Sequence, residues 1–547
     1  MTKFLLILLG SILPLTFTFA QPSQNVRGQV FDSESHFPIP GAKIEIFKID
    51  SSYRLRTLSN LDGFFDVKNV PVGKYELVAS FITYDSKSTT IEVTSGKELV
   101  LNIPLQESFL EKEEVTVTAR KKGEVINELA LISAQQFSVA ETDRYPGSRS
   151  DPARMASNFA GVGGADDSRN DIVIRGNSPL GVVWRVEGID IPNPSHFAIA
   201  GSTGGPVSIL NNKILGNSDF FMSAFPAEYG NSTSGVFDLK LRKGNNQSHE
   251  LTGQFGFLGT ELMAEGPMGK DGNSSYLVMG RYSTLSLFSA MGVSLGTDAV
   301  PVYGDGAFKF DWRLKNGGSL SLWAIGGASD IAIVISNQTE YSEELYGEGD
   351  RDQYFSTAMA VGGLTVKKPV NENTFITTTF AYSHERQRAQ HDFLVRSIDA
   401  DNKITLLDKY KLLDYTFATS KASGFLSVNH KMNKRHLIKA GVNGDYMMYN
   451  LIDSVLQPGH SSANKDSFEI RWDYKGGATL IQAFVQWKWR MTEKMAFTAG
   501  LHNQYYSLSN SFSFVEPRIG WKLSLKKGQA ISAGAGMHSQ TQPQYTY

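Results

Sequence analysis

From Gly253 onward the chain repeats one pattern that few folds can satisfy: strand-length runs with one greasy face and one charged face. Phe308, Phe310, Trp312 and Leu314 alternate with Lys309, Asp311, Arg313 and Lys315. Ile481, Ala483, Val485, Trp487 and Trp489 alternate with Gln482, Gln486, Lys488 and Arg490. Ile519, Trp521, Leu523 and Leu525 alternate with Arg518, Lys522, Ser524 and Lys526. A period of two marks strands with two unlike environments. A soluble sandwich would put the charged faces in water, but it gives no reason for long strands or for apolar faces so rich in Trp and Phe. The connections fall into two sets. Tight polar turns are expected at Lys270 to Asn273, Asn316-Gly317, Asn371 to Asn373, Asn433-Lys434, Thr492 to Lys494 and Lys527-Gly528. Long loops are expected at Ser329 to Arg351, Arg388 to Lys411 and Ile452 to Ser467. Short turns on one rim and long loops on the other are the pattern of an outer-membrane β-barrel. With no apolar helix long enough to span, a closed sheet is the remaining way to pair every backbone group in lipid.

Composition narrows the function classes. A chain of 547 residues holds several domains or one very large β unit. Lys+Arg 53 against Asp+Glu 55 gives a net charge of −2, which offers no basic excess for nucleic acid, and none is expected as a partner. The 51 glycines suit a turn-rich β protein. There are no cysteines, which removes disulfides, thiolate nucleophiles, Cys-based zinc sites and a lipoprotein anchor.

Taken in order, Met1 to Ala20 has an early Lys3, an apolar run and a small-residue end, the make-up of a secretory signal peptide. Residues 25–106 read as a β-sandwich of approximately seven short strands, with corners at Pro40-Gly41, Asp62-Gly63 and Val72-Gly73. Residues 107–119 are a charged linker ending in a strip, Glu113, Glu114, Val115, Thr116, Val117, Thr118 and Ala119, whose alternation lets it pair along a sheet edge. On the residues alone this strip is equally the last strand of the sandwich. Ser150 to Gly164 has the spacing of a short amphipathic helix closed by glycine, and Gly161 to Gly164 are a hinge or cap, since they lack the spacing and the lysine of a phosphate loop. Asp171 to Arg175 and Val182 to Val186 read as strands, with turn residues at Gly176 to Gly181 and Ile191 to Pro194. Arg175, Arg185, Asp166, Asp167 and Glu187 are too many charges for a sheet buried on both faces, so one face is expected to be wet.

The string IVIRGNSPLGVVWRVEGIDIPNP, with AFPAEYGNSTSGVFDLKLRKGN following it, resembles the plug domain of TonB-dependent outer-membrane receptors of the Bacteroidetes type. GQVFD, PIPGAKIEI and DGFFDVKNVPVGKYELVAS resemble the carboxypeptidase-regulatory-like, transthyretin-like domain that precedes such receptors. The resemblance implies a plug over residues 120–243 inside a barrel over 244–547. It makes Ile174, Arg175, Gly176, Glu187, Gly188, Tyr229, Gly230, Ser234 and Gly235 its motif residues, with packing and turn geometry as their chief role. It also makes Glu113 to Ala119 the TonB box, offered to a periplasmic energy-coupling protein. The fold class is therefore mainly β: N-terminal β-sandwich, α+β plug domain, and a partial transmembrane antiparallel β-barrel. Partial, because such receptors have about 22 strands and only about 13 candidates can be counted here, so the sequence is expected to be truncated within the barrel.

Catalytic patterns are sparse. His249-Glu250 and His384-Glu385 lack partners at ligand spacing, so no metal is expected. Gly292 to Gly296 fits G-x-S-x-G without the strand-turn-helix context that strains the serine. Asp166, Asp167 and Asp171 read as a solvated plug surface rather than a calcium site. The expectation is an outer-membrane importer, not an enzyme and without a cofactor. Its partners would be lipid, a small or oligomeric ligand and, in some systems, a surface lipoprotein. The alternatives are a surface carbohydrate-binding or adhesion protein without transport, and a secreted carboxypeptidase-like enzyme.

Overall fold

The computed structural model describes residues 22–48, 53–95, 98–109, 118–119, 125–137, 146–148, 151–164, 168–199, 201–256, 259–284, 301–314, 317–340, 348–456, 468–525 and 529–543. The signal segment, Glu113 to Val117, Asp166, Asp167 and Gly292 to Gly296 lie outside them. The chain forms two compact units, residues 1–120 and 121–547.

In the first unit the strands are β1 (Ser23–Asp32), β2 (Lys43–Phe47), β3 (Arg54–Leu58), β4 (Phe64–Pro71), β5 (Gly73–Ser80), β6 (Tyr84–Asp85), β7 (Lys87–Val93), β8 (Leu99–Glu107) and β9 (Thr118–Ala119). They make two sheets, in the orders β4-β1-β8-β6 and β3-β2-β5-β7-β9. Alternate residues Val26, Val30, Ile44, Ile46, Tyr75, Leu77, Ile91, Val93, Ile103 and Leu105 face inward and form the core between them. At the β3–β4 corner Gly63 is obligatory: its φ is +74°, and a Cβ would lie 2.4 Å from the Val30 carbonyl oxygen.

The second unit begins with small strands around a core. These are β10 (Ala134–Phe137), β11 (Val162–Gly164), β12 (Ile172–Ile174), β13 (Val182–Val186), β14 (Ile189–Ile191), β15 (Ser195–His196), β16 (Val207–Ser208), β17 (Ser218–Phe221) and β18 (Gly235–Leu239), with the helix α1 (Pro152–Ala156). The central sheet runs β10-β17-β18-β13-β14, and Trp184, Phe220 and Phe237 stack on one face of it. The helix is much shorter than the Ser150–Gly164 expectation. Asp151 caps its start, but the Ser157 hydroxyl and Asn158 amide donate back to the Arg154 carbonyl and end it after five residues. Gly161 turns the chain at φ +83°, while Gly163 and Gly164 are not hinge but strand, paired with Val173 and Ile172. Ile191, expected in a turn, is the last residue of β14.

Around this globule wraps one antiparallel sheet of fourteen strands: β19 (Glu250–Phe255), β20 (Thr260–Pro267), β21 (Ser274–Tyr282), β22 (Val302–Arg313), β23 (Ser319–Ile333), β24 (Arg351–Asn371), β25 (Thr374–Ile398), β26 (Ile404–Asn433), β27 (His436–Leu456), β28 (Phe468–Arg490), β29 (Met495–Tyr506), β30 (Ser511–Phe512), β31 (Glu516–Ser524) and β32 (Ala530–Gly536). Each pairs with its sequence neighbour, β30 being a short hairpin partner of β29, and β19 and β32 are not paired with each other among the described residues. The alternation is inverted relative to a soluble core. Lys309, Asp311, Gln482, Gln486, Lys488, Arg490 and Arg518 are buried, whereas Ile481, Val485 and Ile519 are 44%, 43% and 51% exposed. The wall is apolar outside and polar within.

One of the expected long loops is mostly strand, and another begins in strand. Ser329 to Ile333 belong to β23, and Arg388 to Lys411 continue the β25–β26 ladder up to a turn at residues 399–403. On β28 the outward apolar run covers Ile481 to Trp489, one bilayer's worth of residues, and then gives way to Lys475, Asp473 and Arg471. Beyond that band both faces of the ladder are solvated, so alternation fades while backbone pairing continues. Reading loops from lost alternation therefore overestimates them.

Candidate functional site

Glu187, Glu228, Lys213 and Arg242 of the globule each pair with a charged side chain on the wall. The β13–β14 hairpin turns through Glu187 and Gly188, with φ of +48° and +91°. A left-handed glutamate is strained, and the wall over-determines it. Glu187 Oε1 lies 2.9 Å from Lys309 Nζ and Oε2 lies 3.1 Å from Lys367 Nζ. The Leu241 N–H donates to the same carboxylate, and the Thr379 hydroxyl donates to the Glu187 carbonyl at 3.0 Å. Burial alone would raise the Glu187 pKa, but Lys309, Lys367 and Lys240 outweigh it and hold the carboxyl well below its ordinary range. A Cβ on Gly188 would lie 2.9 Å from the Phe425 ring, so the turn must be glycine to seat against the wall.

Arg185, on the adjacent strand position, donates to the Glu228 carbonyl at 3.2 Å and lies over the Phe425 and Tyr229 rings. Arg185 and Glu187 are each only 3% exposed, which corrects the expectation of a wet face. Partners on the wall take the place of water.

Residues Val125 to Ala130 form a strap that leads from the linker into the plug sheet. The Ile126 and Asn127 N–H groups donate to the Asp219 carboxylate at 2.9 and 2.8 Å. The Asn127 amide donates to Glu228 Oε1 at 2.6 Å and to the Tyr229 hydroxyl oxygen at 3.0 Å. On the wall side Lys488 Nζ is 3.1 Å from Glu128, Lys439 pairs with Glu228, and the Gln486 amide accepts from the Ala227 N–H at 2.7 Å while donating to the Leu129 carbonyl. Burial pushes the Asp219 carboxyl up to about 7, against the pull of its two backbone donors, and Asp238 across the ladder adds to the rise.

Toward the other end of the sheet the signs reverse. Arg242 makes a bidentate pair with Glu265 at 2.7 and 2.8 Å, and Lys213 pairs with Glu261 at 2.7 Å. His196 Nε2 lies 3.0 Å from Asp305, which also takes Arg281. Burial lowers the pKa of His196 more than Asp305 raises it, so the ring is neutral at ordinary pH. The plug thus offers carboxylates to the lysine side of the wall and cations to the glutamate side.

The motif residues divide by role. Ile174 is core, and Gly235 lies where a Cβ would be 2.4 Å from the Ile174 side chain. Arg175 and Gly176 make an exposed left-handed turn at φ +51° and +80°. The Tyr229 hydroxyl donates to Asp238, Gly230 passes close to Gln482 and His502, and the Ser234 hydroxyl donates to the Ser178 carbonyl. Of the box-like strip, Glu113 to Val117 lie outside the described residues. Thr118 and Ala119 pair in parallel with Lys87 and Ser88 of β7, as the sandwich-strand reading has it. Asp171 is buried, not solvated: it accepts from Arg169 at 2.7 Å and from the Thr203 N–H. Among the described residues no three His, Asp or Glu side chains gather at metal-ligating geometry. The strap and Asp219, Glu228 and Lys439 were not legible beforehand. Lys309, Gln486 and Lys488 were visible only as members of polar strand faces.

Residues 26–117 match the family model of the CarboxypepD_reg-like domain. No curated protein matches the chain. Among solved structures, the outer membrane transporter YddB from Escherichia coli is similar over 75% of this chain and 61% of its own, at 12% identity and a TM-score of 0.52. The siderophore receptor PirA from Acinetobacter baumannii is similar over 76% and 62%, at 14% identity and 0.50. The ferric enterobactin receptor from Pseudomonas aeruginosa, solved as a mutant, is similar over 76% and 63%, at 15% identity and 0.50. The chain has the fold of these outer-membrane proteins and spans less than two thirds of the length of each.

Proposed function

We propose that this chain is the plugged part of a TonB-dependent receptor in the outer membrane, which imports a ligand held at the outer face. One observation carries the reading. The long sheet is apolar where it meets lipid and polar within, and its polar face is filled by a globule joined to it by ion pairs on five strands, β20, β22, β24, β27 and β28, and by Arg518 of β31, which donates to the Pro226 carbonyl. A surface adhesin has no need of such a cork. The outer membrane holds no ATP, and a cork held by so many buried pairs does not open unaided. The energy would enter through the linker ahead of the strap, from a TonB-type periplasmic protein, and the ligand would be small or oligomeric, in some systems handed over by a surface lipoprotein.

The test is deletion of Glu113 to Ala119 in the outer-membrane protein. Uptake of the ligand that its cells take up through it should be lost while surface binding stays within about twofold of the parent. Uptake that survives the deletion would remove the coupling reading.

A further inference from the structure

Two contacts with the plug fix which face of β26 points inward. Lys421 Nζ reaches the Asp190 carbonyl at 2.6 Å, and the Arg185 guanidinium lies over the Phe425 ring. Thr419, Phe417 and Tyr415 continue the same face away from the plug, toward the turn at residues 399–403. Residues directly opposite one another in the ladder share a face, so the rows above the plug can be read across four strands. Glu385, Thr419 and Tyr449 form one row, and Gln387, Phe417, Leu451 and Tyr474 the next. Ala389, Tyr415, Asp453 and Trp472 form the third.

These rows carry an aromatic surface on the side away from lipid. The Phe417 ring lies 4.7 Å from Tyr415 and 5.6 Å from Trp472, and Tyr449 lies 6.4 Å from Tyr474. Tyr449 is buried, its hydroxyl 3.2 Å from that of Tyr506, and it supports the rings beside it. Tyr474 and Trp472 keep 39% and 36% of their surface open. Open rings grouped on a polar inner wall mark a place where something else is bound.

The charge beside the rings says what. Asp453 is 2.7 Å from Arg471, and Asp445 faces Lys421 at 3.7 Å, so these carboxylates have cations of their own. Glu385 is half-buried and makes no hydrogen bond or ion pair among the described residues. Its diagonal neighbour Lys421 is committed to the Asp190 carbonyl and to Asp445. Phe417 is the other diagonal neighbour of Glu385, which puts an aromatic ring and an uncompensated carboxylate side by side. A cation there gains from both the carboxylate and the ring, whereas an anion meets a like charge.

We propose that the inner faces of β25 to β28 above the plug bind a ligand carrying an organic ammonium group next to a flat apolar group. The ammonium pairs with Glu385 against Phe417, and the apolar part lies over Tyr474 and Trp472. From β25 to β28 is about 14 Å, so the surface has room for more than a single ring. This names the substrate class of the proposed importer and rests on that reading for the ligand's passage, but binding itself depends only on the wall.

The test uses the full chain in detergent micelles, titrated calorimetrically at low ionic strength with phenethylammonium chloride and with phenethyl alcohol, its uncharged counterpart. The parent should bind the ammonium at least about tenfold more tightly than the alcohol. E385Q should erase that preference while its affinity for the alcohol stays within about twofold of the parent, and F417L should weaken both ligands. Heat-modifiable mobility on gels establishes that each variant is folded. If E385Q fails that check, the parent's own preference decides, and added salt should reduce it. A parent that does not prefer the ammonium, or a folded E385Q that still does, would overturn the site. Either result leaves the box-deletion experiment to decide the importer reading separately.

Discussion

Asp219 pairs directly across the β17–β18 ladder with Asp238, and both are buried, so two carboxylates share one low-dielectric region. Asp238 is compensated by Lys240 at 2.8 Å and the Tyr229 hydroxyl, and its pKa is lowered. Among the described residues the close partners of Asp219 are the backbone donors of Ile126 and Asn127, and its pKa is raised to about 7. A carboxyl raised from about 3.9 in the unfolded chain favours the folded state most at low pH, where both forms are protonated. That contribution is lost as pH climbs through about 7. Asp219→Asn, which keeps an acceptor for one strap N–H and carries no charge, should therefore flatten the pH dependence of plug melting between pH 4 and 7, a span of up to a few kcal/mol. Thermal denaturation in detergent across that range is the measurement, and an unchanged slope would place the titration elsewhere. Nothing in the sequence around Asp219 hints at this, because the strap that buries it lies far upstream.

For the strands, the decisive quantity is where each face points. Val485 lies at the middle of the outward apolar run of β28, between Ile481 and Trp489, and it is 43% exposed. An arginine at such a midplane position costs about 2–4 kcal/mol in a lipid-facing strand, whereas near the interfaces the cost falls to about 0–1. Val485→Arg should lower the yield of heat-modifiable, membrane-inserted protein, and the same charge at Lys475, already outward and beyond the band, should not. Membrane fractionation with a gel-shift assay distinguishes the two. This part was legible: Trp487 and Trp489 against Lys488 and Arg490 fix the period, and the richness in Trp fixes which side meets lipid. The lengths of β25 and β26 were not legible, since pairing above the membrane rests on backbone hydrogen bonds that hydropathy does not register.

Across the whole molecule, the topology predicts opposite accessibilities for the two sets of connections. With no native cysteine, single reporters are clean. Asn402→Cys, in the exposed turn between β25 and β26, should react with a membrane-impermeant maleimide on intact cells. Glu372→Cys, in the exposed turn between β24 and β25, should react only after the outer membrane is permeabilised. The reverse pattern would invert the barrel and place the lysine rim outside the cell. By itself the sequence determined the class of the sheet, the corners of the sandwich and the strands flanking Gly176 to Gly181, because period, turn chemistry and β propensity are local properties carried by neighbouring residues. Only the tertiary structure decided that Arg185 and Glu187 are dry, that the helix after Asp151 stops at Ala156, and that Asp219, Glu128 and Glu228 meet the strap and the wall. Those outcomes depend on charges brought together from positions hundreds of residues apart, such as Glu128 and Lys488, and no local pattern encodes which distant partner will compensate a buried charge.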